Sequence, residues 1–146
     1  MSGAGRSRLV GVETKYTEPF SPTEYDKPSY RTVTNRASSW FMPNAAPQAR
    51  RSATNQLWRN LMLAQESATD LAVNGAVMVL TAAKDPGAAS AVAGISAVLK
   101  DPPQHLAHVL LEDLMAAAEQ EPTLAAWAQR FYDRYLRLEL ARVPAA

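Results

Sequence analysis

A chain of 146 residues, 47% hydrophobic and 20% charged, has room for one domain with an appendage rather than two domains. Its net charge of +1 gives no general attraction to nucleic acid or acidic membranes. With no cysteine, disulfides, thiolate zinc sites and cysteine nucleophiles are excluded.

The charge is unevenly spread. Residues 1–60 hold nine Lys/Arg against four Asp/Glu, a net of +5, whereas residues 61–146 hold six against ten, a net of −4. A basic first part and an acidic second part suit folding back on each other or bridging to an acidic partner. The opening residues contain Arg6 and Arg8 but no apolar core, so no secretory signal is expected and an intracellular location, cytoskeletal or mitochondrial, is favoured. The longest apolar stretches, residues 71–83 and 88–99, fall short of the roughly 20 residues that a membrane helix needs.

Residues 1–48 read as an extended arm. They hold five of the ten prolines, few aliphatic side chains beyond Leu9, Val10, Val12 and Val33, and no sustained helical or strand period. Such a segment buries too little apolar surface to offset its own ordering entropy. It is nevertheless studded with Tyr16, Phe20, Tyr25, Tyr30, Trp40 and Phe41. Aromatic rings supply large contact area with few torsions to freeze, so these six are expected to be protein-binding anchors. Within the arm, Ser21-Pro22-Thr23-Glu24 carries a helix-start pattern, with Ser21 as cap, Pro22 in the first position and Glu24 closing a capping box.

Residues 49–146 read as a helical domain. Asp85-Pro86, Asp101-Pro102 and Glu121-Pro122 each pair an acidic residue with a proline, a pattern that closes one helix and opens the next. Four helices follow: 52 to about 83, continuous or broken near 67–70, then 86–99, 102–120 and 122–142. No segment competes as a strand. The expected fold is therefore all-α, a small antiparallel bundle of about four helices with a long extended N-terminal arm. On the fourth helix Trp127, Phe131 and Tyr135 form an inward row. Arg130, Tyr132, Arg134 and Leu136 lie to the other side as a further protein-binding face.

Chemistry is harder to find in the residues. His105, His108 and Glu112 fall on one expected helix, but their spacing is not that of a zinc-protease helix. Glu112, Asp113, Glu119 and Glu121 read as a solvated acidic flank, and Arg130, Arg134 and Arg137 as a charged outer face with an Asp133–Arg137 pair. There is no Gly-rich phosphate loop and no Gly-x-Ser-x-Gly elbow. The expectation is a non-catalytic structural or accessory subunit, without metal or cofactor, whose partners are other proteins of a large assembly. The interleaved Tyr, Thr and Pro of residues 14–41 resemble the lattice-hugging tails of ciliary microtubule-associated proteins. Accessory subunits of mitochondrial complexes and virion proteins share that composition. The alternative is a nucleic-acid-associated factor that sets the basic arm and Arg130, Arg134 and Arg137 on phosphates, although nucleic acid is not the favoured partner.

Overall fold

In a computed structural model of the chain, residues 7–16 and 19–137 are described. The segment RLVGVETK forms strand β1, Arg8–Lys15, and its side chains alternate between exposed and half-buried along the whole length. That alternation is the mark of a strand with one covered face. Strand β2, Asn74–Thr81, is buried at Gly75, Ala76, Val77, Val79 and Thr81, and strand β3 is Leu106–Leu110. All three are parallel, in the order β1-β2-β3, with Glu13 opposite Val79 and Lys15 opposite Thr81.

Parallel neighbours need long crossovers. Between β1 and β2 run α1 (Pro28–Asn35), α2 (Ala46–Ala49) and α3 (Ser52–Asp70); between β2 and β3 run α4 (Pro86–Ser96) and α5 (Pro102–His105). After β3 come α6 (Leu111–Glu119), α7 (Ala125–Phe131) and a π-helical turn, Tyr132–Leu136. Helix α3 lies across β1 and β2 and packs on α4. Its residues Leu57, Trp58 and Leu61 are fully buried and form the core with Val77, Val79, Ile95 and Phe41.

The all-α bundle is thus corrected to an α/β fold. Residues 52–83 divide because α3 stops at Asp70, the backbone turns through Ala72 at φ +52°, and the Val-rich run that follows joins the sheet. A short, continuously apolar run has no period that separates a buried strand from a buried helix. Residues 102–120 divide likewise, into α5, β3 and α6. The Asp-Pro pairs do open helices: Asp85 accepts from the Ala88 N–H at 2.9 Å and Asp101 from the Gln104 N–H at 3.3 Å. The far end of the fourth expected helix, residues 138–142, lies outside the described residues.

The extended arm of the expected fold is corrected too. Its first strand lies in the sheet, and the backbone of Trp40 and Met42 pairs with Lys100 and Val98 at 2.8 and 2.9 Å. Ser21-Pro22-Thr23-Glu24 is not helical. Instead Glu24 reaches the first residue of α3, its Oε1 accepting from the Ser52 N–H at 2.9 Å. Gly75 shows how tightly the arm is seated. A Cβ there would lie 2.6 Å from the Ala68 Cβ and 2.9 Å from the Trp40 ring.

Candidate active site

On β1 the side chains of odd-numbered residues turn toward α3, because a Cβ at Gly11 would meet the Ala64 methyl at 4.0 Å and Val77 at 3.8 Å. Glu13 and Lys15 share that face by strand periodicity. Their side chains are 18% and 12% exposed, and the Lys15 Nζ lies 3.3 Å from the Glu13 Oε1. Two amides one helical turn apart on α3 hold the carboxylate. Gln56 Nε2 donates to Oε1 at 2.6 Å, and Asn60 Nδ2 donates to Oε2 at 2.8 Å. The spacing of four residues places both donors on one face of the helix, directly above β1. Gln56 is fixed in turn by the Ser21 N–H, which donates to its Oε1 at 3.1 Å. The Phe20 ring covers Lys15, with Nζ 5.1 Å from its centroid.

Glu13 and Asn60 reach solvent, whereas Lys15 lies beneath the Phe20 ring. A cleft of about 290 Å³ opens between β1 and α3, lined by Leu9, Gly11, Glu13, Asn60, Leu63 and Ser67 among others. A carboxylate that accepts two amide donors keeps lone pairs for a water or an incoming hydroxyl. The adjacent ammonium, held in a partly desolvated position, can neutralise charge that develops on a bound anion. The residue types suit phosphate chemistry, which needs a proton acceptor and a fixed cation side by side.

A divalent cation is a common partner in such chemistry. Among the described residues Glu13 is the only carboxylate lining the cleft, and no group of three or more His, Cys, Asp or Glu side chains is placed to hold a metal ion. Hard cations take six or more oxygen ligands, several of them carboxylates or waters. The described residues do not by themselves fit such a site.

The candidate residues singled out in the sequence do not line this cleft. Phe41 is in the core at 1% exposure, and Trp40 stacks on His105 with centroids 4.1 Å apart. Tyr30 packs edge-on against Trp58 at 5.7 Å, and Phe20 covers Lys15. Tyr16 meets Tyr135 edge-on at 6.1 Å, and Tyr25 is 43% exposed beside Arg59. On the last helical segment Arg130 and Arg134 are exposed, Tyr132 and Leu136 half-buried, and Arg137 pairs with Asp133 at 3.2 Å. His105, His108 and Glu112 have separate partners: the Gly75 carbonyl at 3.2 Å, the Thr81 hydroxyl at 2.8 Å, and the Ala83 N–H at 3.0 Å.

Glu13, Lys15, Gln56 and Asn60 were not among those candidates. A signal for the first two was present, since an acidic residue two places before a lysine occurs once in the chain, at Glu13-Thr14-Lys15. It sits in a run of Leu, Val and Thr, rich in the residue types that favour strands.

Comparison with known proteins fits this geometry. A family model described as the PD-(D/E)XK nuclease superfamily matches residues 1–137. No curated protein and no solved structure matches the chain. The family match overturns the expectation of a non-catalytic structural subunit, since the superfamily is named for nucleases, and it favours the nucleic-acid alternative instead. The scaffold, all-helical and microtubule-associated descriptions fall with it. Of the membrane expectation, the coarse part stands: among the described residues no helix is long and apolar enough to cross a bilayer. Glu13-Thr14-Lys15 matches the (D/E)XK half of the superfamily's name, while no Pro-Asp dipeptide occurs in the 146 residues. By a match that covers nearly its whole length, the chain belongs to the PD-(D/E)XK nuclease superfamily.

Proposed function

We propose that the chain acts on nucleic acid and hydrolyses a phosphodiester bond at the Glu13–Lys15 pair. The observation that carries this is the seating of the single Glu-x-Lys triplet on one face of β1, with Gln56 and Asn60 gripping the carboxylate. In the proposed reaction Glu13 accepts a proton from the attacking water as its oxygen bonds to phosphorus. Lys15 neutralises charge on the phosphoryl oxygens, and the bond to the leaving sugar oxygen breaks as that oxygen takes a proton from solvent. Net charge of +5 over residues 1–60, which include β1 and the first half of α3, supports a polyanionic substrate.

The test is cleavage of supercoiled plasmid and of labelled oligonucleotides by the full chain, with magnesium or manganese supplied. Glu13→Gln and Lys15→Met are each expected to lower the rate by about 10²–10³-fold with the fold retained. Cleavage that survives both changes would overturn the assignment.

A second reading, nucleic-acid binding without cleavage, is favoured by one observation: the chain lacks the Pro-Asp dipeptide, and Glu13 is the only described carboxylate in the cleft. Salt-dependent binding by a chain that cleaves nothing under any of these conditions would select it.

A further inference from the structure

The cleft at Glu13 does not end at α3. A second depression, of about 350 Å³, is lined by Ser29, Tyr30, Arg59, Asn60, Leu63 and Glu66 among others, so Asn60 and Leu63 belong to both. Beside the shared ridge the Arg59 guanidinium lies over the Tyr25 ring, 4.4 Å from its centroid. Tyr25 is 43% exposed, yet its backbone is held at two points by one buried side chain. Its N–H donates to Asn55 Oδ1 at 3.2 Å, and its carbonyl accepts from Asn55 Nδ2 at 3.0 Å. Asn55 is 1% exposed and also donates to the Arg50 carbonyl at 2.9 Å.

An exposed aromatic ring is therefore carried on a rigid mount, with a cation against it. The mount shares its frame with the reactive pair. Asn55 fixes Tyr25, the next residue Gln56 fixes Glu13, and Asn60, about one turn further along the helix, holds the other carboxylate oxygen. An aromatic face accepts any base by stacking, and an adjacent arginine adds cation–π attraction and a phosphate contact. Bases inside a duplex have both faces covered by their neighbours and cannot use such a surface.

We propose that Tyr25 and Arg59 form a nucleobase-stacking platform that receives a base of a single-stranded or locally opened nucleic acid near the Glu13–Lys15 pair. The proposal rests on the reading of that pair as a nucleic-acid site. It assigns the substrate class: single-stranded ends, flaps or unpaired segments in preference to continuous duplex.

The experiment uses the full chain in the Glu13→Gln background, so that binding is read without turnover. A labelled oligothymidylate and a labelled duplex are titrated by fluorescence anisotropy at several salt concentrations. Tighter binding of the single strand is expected. Tyr25→Ala should weaken it by about tenfold and leave the duplex nearly unchanged, with Tyr25→Trp restoring it. Arg59→Ala should weaken it as well and reduce the salt slope by about one. Single-strand binding unaffected by Tyr25→Ala, or lost equally for the duplex, would overturn the platform and leave the Glu13–Lys15 site standing. Failure of the parent chain to bind any nucleic acid would overturn both.

Discussion

Strands β1 and β2 have the same length and run side by side in continuous register, yet they carry opposite burdens. At the position where β2 places Val79, fully buried, β1 places Glu13; where β2 places the buried Thr81, β1 places Lys15. The central strand is covered over most of its length and its residues are chosen for packing. The outer strand alternates, with Val10 and Val12 at 44% and 59% exposure and its charged pair lying at the edge of the core. Within one small sheet, the proposed chemistry belongs to the strand that solvent can reach. Rigidity belongs to the strand that it cannot.

The sharpest way to break this comparison is to exchange the properties. Removing the charge from β1, by Glu13→Gln or Lys15→Met, should abolish nearly all cleavage, a loss of about 3–4 kcal/mol in transition-state stabilisation, while denaturant midpoints stay near the parent value. Loss of folding instead would make the pair structural. On β2 the reverse is expected. Val79→Ala removes buried methyl groups from the core and should lower the unfolding free energy by about 2 kcal/mol, measured by urea titration. An unchanged midpoint would contradict the assignment of β2 as the packing strand.

Gly75→Ala sharpens the same contrast at the start of β2. The added methyl would collide with Ala68 and the Trp40 ring, for an expected cost of about 1–3 kcal/mol and a change in tryptophan fluorescence. Gly11, the glycine of β1, has only ordinary contacts around a built Cβ, so Gly11→Ala should be nearly neutral for stability.

The smallest expected effect lies outside the sheet, at Asp26. Hydrogen bonds from Arg31 and then Arg50 hold its carboxyl at about 2, below the usual 3.8. Because the folded value is depressed, the contribution is present above the usual carboxylate value and is lost as pH falls through about 2. Asp26→Asn should flatten that acid limb of the stability profile slightly, as befits a solvent-screened cluster. An unaltered limb would remove the Arg31–Asp26–Arg50 cluster from the account.

Several parts of this molecule were legible from local residues. Asp85 and Asp101 each precede a proline and cap a helix, because a cap needs only an acceptor side chain three residues before a free N–H. The helical stripe of Leu57, Leu61, Ala64 and Ala68 marks the buried face of α3 for the same local reason, but the same spacing continues through Leu71, Gly75, Val79 and Ala83, past the end of α3 and through strand β2. The Glu13-Thr14-Lys15 triplet and the β-branched residues around it are also present in the chain, although the prolines and aromatics that follow have the composition of an extended arm.

Other features arose only in three dimensions. A parallel sheet draws its hydrogen bonds from segments far apart in sequence, so no local window shows that residues 8–15, 74–81 and 106–110 are partners. The arm gains its order in the same way: Phe41 is buried, and Trp40 is stacked on His105 more than sixty residues away. The site itself is the clearest case. Gln56 and Asn60 stand 43 and 47 residues from Glu13, and nothing in their own neighbourhood distinguishes them from other helix-surface amides. The sequence by itself determined the helix caps, the amphipathic face of α3 and the presence of one Glu-x-Lys triplet. Tertiary structure decided that the glutamate of this triplet would lie under two amides in an open cleft, because that contact depends on packing between distant segments.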